Sequence, residues 1–176
     1  GSGIIGKFNA LELSELGFQV TIIDPTQLQN SSNAALGLLM GNMYQKRRGR
    51  SWDLRKQSIE LWPQWITFLQ KFNYELNIEK PLIQLTTNEE KFKKLEKFIY
   101  ENNDQNLRIL ERDSIFIKNI NKAFQTKNIK GMISFKDGRI NPFSLLQTLD
   151  KYLKHKKVNY LREEIIKIRK SNNQWI

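Results

Sequence analysis

Gly1-Ser2-Gly3-Ile4-Ile5-Gly6 opens the chain, and Asp24 follows at the end of a β-branched run. Three glycines at this spacing before a helix are typical of a dinucleotide-binding turn. The first glycine makes the tight turn, the second lets the backbone approach a pyrophosphate, and the third allows the helix to pack closely on a strand. Phosphates bind at the N-terminus of such a helix, where free N–H groups and the helix dipole favour anions. An acid about 20 residues later accepts hydrogen bonds from the ribose hydroxyls, and Asp24 has this position.

The residues between the motif and Asp24 carry the helix and the strand that such a site requires. Apolar residues recur at three- and four-residue spacing up to Gly17, which has the position of a C-cap glycine. They are Phe8, Ala10, Leu11, Leu13 and Leu16. The run 18–24 predicts a buried parallel strand that ends at Pro25. Asp24 argues against a 2′-phosphate on the ribose, because that group requires a basic partner. The glycine motif by itself does not distinguish FAD from NAD.

The chain begins at the first glycine of the motif and has no initiator methionine. We therefore expect the strand before Gly1 to lie outside this sequence, and in the usual strand order that strand is in the middle of the parallel sheet. Without it, the strand that ends at Asp24 presents an open edge. The isolated chain is accordingly expected to be marginally stable or prone to aggregation, and to have no turnover.

The remaining sequence alternates between helical and strand patterns. We predict a long polar connection over 26–50, then helices over 51–72, 88–101 and 141–156. We predict strands over 81–86, 131–135, 158–161 and 165–169, and a further strand at Trp175 after a turn at Asn172-Asn173. Pro63 is expected to kink or divide the first of these helices. Asp137-Gly138, between apolar residues, is a hairpin signal. Residues 102–130 have only a weak pattern.

The composition excludes several kinds of site. Hydrophobic residues at 39% and charged residues at 27% of 176 predict a globular chain, with room for one domain or parts of two interleaved domains. The absence of cysteine excludes disulfides, thiolate metal sites and cysteine nucleophiles, and a single histidine, His155, excludes histidine-rich sites, so we predict no metal. No apolar run reaches the ~18 residues of a transmembrane helix, and no secretory signal is visible. We expect a cytoplasmic protein.

The formal net charge of +11 comes from lysine and arginine residues scattered between Lys7 and Lys170, which favours a solvated basic surface over a nucleic-acid footprint. The only dense basic cluster comprises Lys46, Arg47, Arg48 and Arg50. Such a cluster suits an anionic substrate or an RNA backbone, and a solvated loop is the favoured interpretation. Core packing is expected for Trp52, Trp62 and Trp65. We expect His155 at the surface and Asp137 in a turn.

Three further stretches resemble the glycine oxidase / D-amino-acid oxidase superfamily. Ser31-Ser32-Asn33-Ala34-Ala35-Leu36-Gly37-Leu38-Leu39 resembles its small-residue loop, which lies against the flavin ring, and small residues let a backbone approach a flat ring. Phe135-Lys136-Asp137-Gly138-Arg139-Ile140-Asn141-Pro142, followed by Leu145, Leu146 and Leu149, is similar to its Asp-Gly turn that leads into a helix. The helix with Trp62-Pro63 also resembles the family. Together with the glycine motif, the similarity covers nearly the whole chain in the expected order.

The resemblance implies a mixed α/β fold. A Rossmann-like FAD-binding domain of glutathione-reductase type would be interleaved with an antiparallel substrate domain, both of them incomplete. Residues 1–50 and 131–176 would form the partial FAD-binding domain, and 51–130 the partial substrate or cap domain. The implied activity is FAD-dependent oxidation of an amino acid or secondary amine by hydride transfer to flavin N5. The imine then hydrolyses, and oxygen or another acceptor reoxidises the flavin.

The resemblance also implies which residues bind FAD. The pyrophosphate would be held by the loop of Gly1, Ser2, Gly3, Ile4, Ile5 and Gly6, and the adenosine ribose by Asp24. Ser31 and Ser32 would lie near the phosphates, Ala35, Gly37 and Leu38 would line the flavin, and the backbone of Ile165 would contact adenine. The arginine and tyrosine that hold the substrate carboxylate in this family come from later sequence, so we assign no catalytic residue.

Two other functions stay open at this point. The same fold occurs in flavin domains that act on a modified tRNA base, and the net charge of +11 would suit RNA. Alternatively, the chain is an inactive remnant that binds no cofactor. The favoured partner is a small-molecule amine or amino acid.

Overall fold

The computed structural model describes residues 1–25, 31–111, 114, 128–171 and 174–175. Among them lie the helices α1 (Ile4–Glu15), α2 (Arg50–Leu69), α3 (Glu89–Asn102) and α4 (Pro142–His155). The strands are β1 (Thr21–Ile23), β2 (Leu38–Leu39), β3 (Leu82–Thr86), β4 (Leu107–Leu110), β5 (Lys130–Ser134), β6 (Gly138–Arg139), β7 (Asn159–Leu161), β8 (Lys170–Ser171) and β9 (Gln174–Trp175). The chain forms two compact units. Unit 1 comprises Gly1–Leu36, Thr67–Leu76 and Asn141–Ile176, and unit 2 comprises Gly37–Ile66 and Asn77–Ile140.

Unit 1 contains a parallel strand pair and two helices that pack on each other. β1 pairs with β7 in parallel, with Ile22 opposite Tyr160. Parallel pairing requires a long crossover connection, which is typical of α/β folds. α1 packs against α4 and β1, and its buried residues are Lys7, Ala10 and Leu11. The buried residues of α4 are Leu145, Leu146, Thr148, Leu149, Tyr152 and Leu153. The predicted α/β character of this part of the chain is confirmed.

Unit 2 is built on an antiparallel sheet with the strand order β3-β5-β4. The central strand β5 contains Gly131, where a Cβ would overlap the carbonyl oxygen of Gln84. α3 packs on this sheet. The core cluster of this region comprises Met43, Leu95, Phe98, Leu107 and Met132. The chain thus contains both parallel and antiparallel strand pairing, the mixed α/β architecture that the sequence predicts.

Two helices begin where the sequence predicts, because asparagine side chains cap them. The Asn88 side chain accepts a hydrogen bond from the N–H of Lys91 at 2.9 Å, and α3 begins at the next residue. The Asn141 side chain accepts from the N–H of Ser144 at 3.2 Å. Pro142 then takes the first position of α4, where a missing N–H breaks no helical hydrogen bond.

The hairpin predicted at Asp137-Gly138 is wrong. β6 pairs antiparallel with β2 and not with β5. The Asp137 side chain is fully buried and accepts hydrogen bonds from the backbone of the segment that follows β2. Asp137 therefore binds the segment after β2. It was expected only to lie in a turn, and its buried hydrogen bonds go beyond that expectation.

Two other strand predictions differ from the structure. β4 lies where the sequence pattern is weak, and it pairs with β5. Conversely, no strand is formed over 165–169, where the side chains of Ile165, Ile166 and Ile168 are exposed. Strand stability comes from packing against neighbours, and these side chains lack it. The strand at Trp175 is present as β9, which pairs with β8. The turn predicted at Asn172-Asn173 lies outside the described residues.

The predicted helices are present, with local differences in burial. Leu13 and Leu16 of the first helical pattern are exposed, so the buried stripe of α1 is narrower than predicted. α2 runs without interruption through Pro63, so that proline does not divide it. Trp52, Trp62 and Trp65 are half-buried. Within the part of the chain that the structure describes, no helix is both long and apolar enough to span a bilayer.

Candidate nucleotide-binding site

The glycine loop in unit 1 has the close packing that its motif predicts. A Cβ at Gly6 would overlap the carbonyl oxygen of Gly1, so the first turn of α1 lies directly against the start of the loop. Gly3 is the N-cap residue of α1, and no side chain caps the helix from this position. A Cβ at Gly3 would lie 3.1 Å from the hydroxyl of Ser32. Gly3 and Gly6 are therefore at points of close approach, whereas a Cβ at Gly1 would be in ordinary contact, 3.7 Å from Asp24 Oδ2.

Asp24 ties this loop to the end of β1. Its Oδ2 accepts a hydrogen bond from the N–H of Ser2 at 2.5 Å and another from the Ser2 hydroxyl at 3.0 Å. The Asp24 N–H donates to the carbonyl oxygen of Leu161 at 3.0 Å, which continues the pairing of β1 with β7. The loop and the acid of the motif thus meet, as the spacing predicts. Ser2 was named from the sequence as part of the pyrophosphate loop, but its hydrogen bonds to Asp24 were not predicted.

Ser32 is the second residue that closes on the helix N-terminus. Its hydroxyl oxygen accepts a hydrogen bond from the N–H of Ile4 at 2.9 Å, which satisfies one of the N–H groups that a helix start leaves unpaired. Ser32 is buried, whereas its neighbour Ser31 is exposed. Seven of the site residues named from the sequence are therefore connected by direct contacts within unit 1. They are Gly1, Ser2, Gly3, Ile4, Gly6, Asp24 and Ser32.

The other named residues of unit 1 are exposed. The side chain of Ile5 is 74% exposed, so it takes no part in the packing of α1. Ala35 is exposed, and its N–H donates to the carbonyl oxygen of Ser32 at 3.4 Å. Ile165 lies in the irregular segment after β7.

A cavity of about 790 Å³ adjoins the glycine loop at Ser2 and is lined by residues of α4 and β7. Lys7 on its wall is buried and forms an ion pair with Asp150, with Nζ 2.6 Å from Oδ2. The Tyr160 hydroxyl donates to the other carboxylate oxygen of Asp150 at 3.0 Å. Burial raises the pKa of Tyr160 above its usual range, and the Asp150 charge raises this pKa further. Tyr160 is therefore a neutral hydrogen-bond donor to Asp150.

Gly37 and Leu38 belong to unit 2. Gly37 has a positive φ of 71°, a conformation that favours glycine, and its carbonyl oxygen accepts from the N–H of Ile140 at 2.9 Å. Leu38 is half-exposed and pairs with Arg139 in the short β2–β6 ladder. The loop that resembles the flavin-facing segment of the family is thus fixed to the Asp-Gly stretch that resembles its other signature.

Asp137 is the residue of unit 2 whose importance the sequence did not reveal. Its Oδ1 accepts from the N–H groups of Gly41 at 2.8 Å and Asn42 at 2.9 Å, and its Oδ2 accepts from the N–H of Met43 at 2.7 Å. Its own N–H donates to the Ser134 hydroxyl at 3.1 Å. An Asp-Gly pair after a strand is the local signal of many turns, which gave no reason to expect a buried carboxylate.

The basic cluster at 46–50 is only partly solvated. Lys46, Arg48 and Arg50 are exposed, as expected. Arg47 is half-buried instead, with its guanidinium over the rings of Trp52 and Phe98. For Arg47 the interpretation as a solvated loop residue is therefore wrong. Among the described residues, no group of three or more His, Asp or Glu side chains could hold a metal ion.

Comparisons with known proteins show which family and which solved structures this chain resembles. The DAO family model of FAD dependent oxidoreductases matches residues 1–176. Glycine oxidase from Geobacillus kaustophilus superposes with a TM-score of 0.83 at 22% identity, over 99% of this chain and 48% of that chain. Glycine oxidase from Bacillus cereus gives a TM-score of 0.79 at 22% identity, over 98% and 49% of the two chains. Iminodiacetate oxidase from Chelativorans sp. BNC1 gives 0.78 at 17% identity, over 99% and 48%.

The chain spans about half the length of these solved structures, and at these identities the likeness establishes the fold. No curated protein sequence matches the chain significantly. The family model, in contrast, matches the chain from its first to its last residue. The chain therefore belongs to the DAO family of FAD-dependent oxidoreductases, and its cofactor is FAD.

Proposed function

We propose that the protein oxidises a small amino acid or secondary amine with FAD. The observation that carries this proposal is the glycine loop at the N-terminus of α1, closed by Ser32 and tied to Asp24 at the end of β1. Two similar structures are named for the oxidation of glycine, an amino acid, and of iminodiacetate, a secondary amine. These names motivate the substrate class, which remains our proposal for this chain.

The residues of unit 1 fit the adenosine diphosphate part of the cofactor. The glycines leave no side chain between the backbone and an approaching phosphate, and a Cβ at Gly6 has no room. The start of α1 has N–H groups and a positive dipole end directed towards an anion. Asp24 provides a carboxylate at the tip of β1, where ribose hydroxyls can donate to it.

The proposed assignment follows from this fit and from the family resemblance. The loop Gly1, Ser2, Gly3, Ile4, Ile5 and Gly6 holds the pyrophosphate with Ser31 and Ser32, and Asp24 holds the ribose. The backbone of Ile165 contacts adenine, and Ala35, Gly37 and Leu38 line the flavin. In the same proposal, residues 1–50 and 131–176 form part of the FAD-binding domain, and 51–130 form part of the substrate domain.

When bound, the flavin supplies the hydride acceptor for the oxidation. The residues of this chain contribute binding and orientation. Ser2 holds the Asp24 carboxylate in place by donating two hydrogen bonds to one of its oxygens. Ser32 holds the first N–H of α1 in place, so the remaining N–H groups of that turn keep their direction. We assign no catalytic acid or base.

The binding part of this proposal is tested by titrating FAD into the natural protein to which residues 1–176 belong. Flavin fluorescence is the signal. Asp24→Ala removes the ribose acceptor and leaves the Ser2 N–H without its partner, so we expect the FAD affinity to fall on the order of 10- to 100-fold. Glu12→Ala, an equal change of charge at an exposed position on α1, should bind FAD as the wild type does. The proposal is contradicted if the wild type does not change the flavin fluorescence, or if Asp24→Ala binds FAD as tightly as the wild type.

The reaction class requires a separate experiment. The flavin-loaded protein is mixed without oxygen with glycine, sarcosine, iminodiacetate or D-amino acids, and the loss of flavin absorbance reports hydride transfer. We expect at least one of these amines to bleach the flavin. Binding of FAD without bleaching by any amine would leave the cofactor site intact and overturn the proposed substrate class.

A further inference from the structure

We propose that Asp137 positions the flavin-facing loop, although it does not itself touch the flavin. This inference rests on the proposed function, because the loop at Gly37 and Leu38 faces the flavin only in that proposal. The observation behind it is independent of the cofactor. One buried carboxylate accepts hydrogen bonds from three consecutive backbone N–H groups, those of Gly41, Asn42 and Met43.

The loop needs such a partner because it lacks regular structure after β2. Backbone N–H groups that are buried without an acceptor are costly, and a strand or helix would normally satisfy them. Gly41 and Met43 are buried, and each N–H lies within 2.8 Å of an Asp137 oxygen. The benefit is mutual, since a fully buried carboxylate also requires several donors.

The carboxylate continues an interaction that begins at the flavin-facing residues. Ile140 N–H donates to Gly37, Arg139 pairs with Leu38, and Gly138 pairs with Leu39. Asp137 directly precedes Gly138. Its side chain accepts hydrogen bonds from the three N–H groups that follow Met40. The segment 137–140 thus holds the whole of 37–43 in one register. Gly138 is also confined, since a Cβ there would lie 2.6 Å from the Glu79 carbonyl oxygen.

Arginine side chains hold the carbonyl groups of the same loop. Arg55 Nη1 donates to the carbonyl oxygen of Met40 at 2.9 Å, and Arg47 Nη2 donates to that of Asn42 at 2.5 Å. The Arg47 guanidinium is in turn held by the Asn102 side chain at 2.9 Å. Both kinds of backbone group in the loop therefore have charged partners. Such a loop is rigid before any ligand arrives, which is the condition for precise placement of a flat ring.

The test compares FAD with ADP, because ADP lacks the flavin that the loop would contact. Asp137→Asn keeps the size of the side chain but turns one acceptor into a donor that faces a backbone N–H. We expect the affinity of the apoprotein for FAD to fall about tenfold or more, whereas its affinity for ADP stays unchanged. The absorption bands of the remaining bound flavin should move towards those of free FAD. Glu96→Gln, an equal change of charge at an exposed position of α3, should alter neither affinity.

The outcomes separate this inference from the proposed function. A wild type that binds neither FAD nor ADP contradicts the proposed function. If the wild type binds both, an Asp137→Asn variant that loses neither affinity, or both equally, overturns the positioning role. If Asp137→Asn does not fold, Arg55→Met decides the question from the other side of the loop. A selective loss of FAD affinity in Arg55→Met supports the inference, and unchanged or equally weakened binding of FAD and ADP overturns it.

Discussion

Gly6 illustrates what a single residue contributes to the candidate site. Gly6→Ala would force a methyl group into the carbonyl oxygen of Gly1, which is backbone and cannot turn aside as a side chain can. We expect the free energy of unfolding to fall by about 1–3 kcal/mol, as for other overpacked positions. We also expect FAD affinity to fall, because the loop must move away from the helix N-terminus. Urea unfolding and FAD titration measure the two effects.

Gly17→Ala is the matched control for this substitution. Gly17 has a positive φ of 86°, but a Cβ there meets no atom within 4 Å. The variant should lose about 1–2 kcal/mol of stability from backbone strain alone and retain the FAD affinity of the wild type. Equal losses of FAD affinity in Gly6→Ala and Gly17→Ala would show that the loss comes from lower overall stability. They would contradict a specific effect of crowding between Gly6 and Gly1.

Tyr152 predicts a stability change at high pH. Its hydroxyl donates to Glu15 at 2.5 Å, and its ring packs edge-on against Phe72. Burial raises the pKa of Tyr152 to about 12, and the hydrogen bond to Glu15 adds to this effect. Since the pKa of an unfolded tyrosine is about 10, the folded state holds this proton more tightly. The stabilisation is complete below about pH 10 and is lost as the pH rises towards 12.

Tyr152→Phe should remove this component of the pH dependence. The stability of the wild type should fall more steeply between about pH 10 and 12 than that of the variant, as measured by urea unfolding. In the wild type, a phenolate absorbance titration should show late-titrating tyrosine, and part of it should vanish in Tyr152→Phe. Tyr100→Phe, at a side chain that is 87% exposed, should leave the late component unchanged.

At the scale of elements, the N-cap of α3 gives a prediction independent of any ligand. Asn88→Ala removes the acceptor of the Lys91 N–H and should cost about 1 kcal/mol. Thr87→Ala changes an exposed neighbour outside the cap and should cost clearly less. The midpoint of urea unfolding provides the comparison. Equal effects of the two substitutions would contradict the capping role.

The elements that the sequence predicts well are those with local causes. The first residues of α3 and α4 follow from Asn88, Asn141 and Pro142, which act within one helical turn. β1 follows from a short β-branched run, and the site at its tip follows from the glycine spacing and Asp24. In each case the interacting residues are close in sequence or belong to a motif of fixed spacing.

The elements that the sequence misses have distant causes. β2 and β6 are two-residue strands whose only pattern is their pairing with each other. β4 is stabilised by pairing with β5, and no periodicity in its own residues indicates it. The apolar run at 165–169 has strand-like composition but exposed side chains. The role of Asp137 was missed for the same reason, since its partners lie 94 to 96 residues away in the sequence.

At the scale of the whole molecule, FAD should stabilise the fold by mass action. A ligand that binds only the folded state at 100 times its Kd adds about 2.7 kcal/mol. For a chain of this size, this corresponds to a rise of roughly 5–10 °C in Tm, at about 2–4 °C per kcal/mol. Riboflavin at the same concentration lacks the pyrophosphate and adenosine and should produce a much smaller rise. Equal shifts from both ligands, measured by thermal unfolding, would contradict a site built on the glycine loop.

The pairing of β1 with β7 also determines the order in which the protein can mature during translation. β1 leaves the ribosome roughly 140 residues before its partner strand, a delay on the order of ten seconds at usual elongation rates. Until then Ile22 and the apolar side of α1 lack their final neighbours, whereas all of the sequence of unit 2 has been synthesised by Ile140. The glycine motif is thus synthesised well before β7, and a chaperone would have most to protect during this interval.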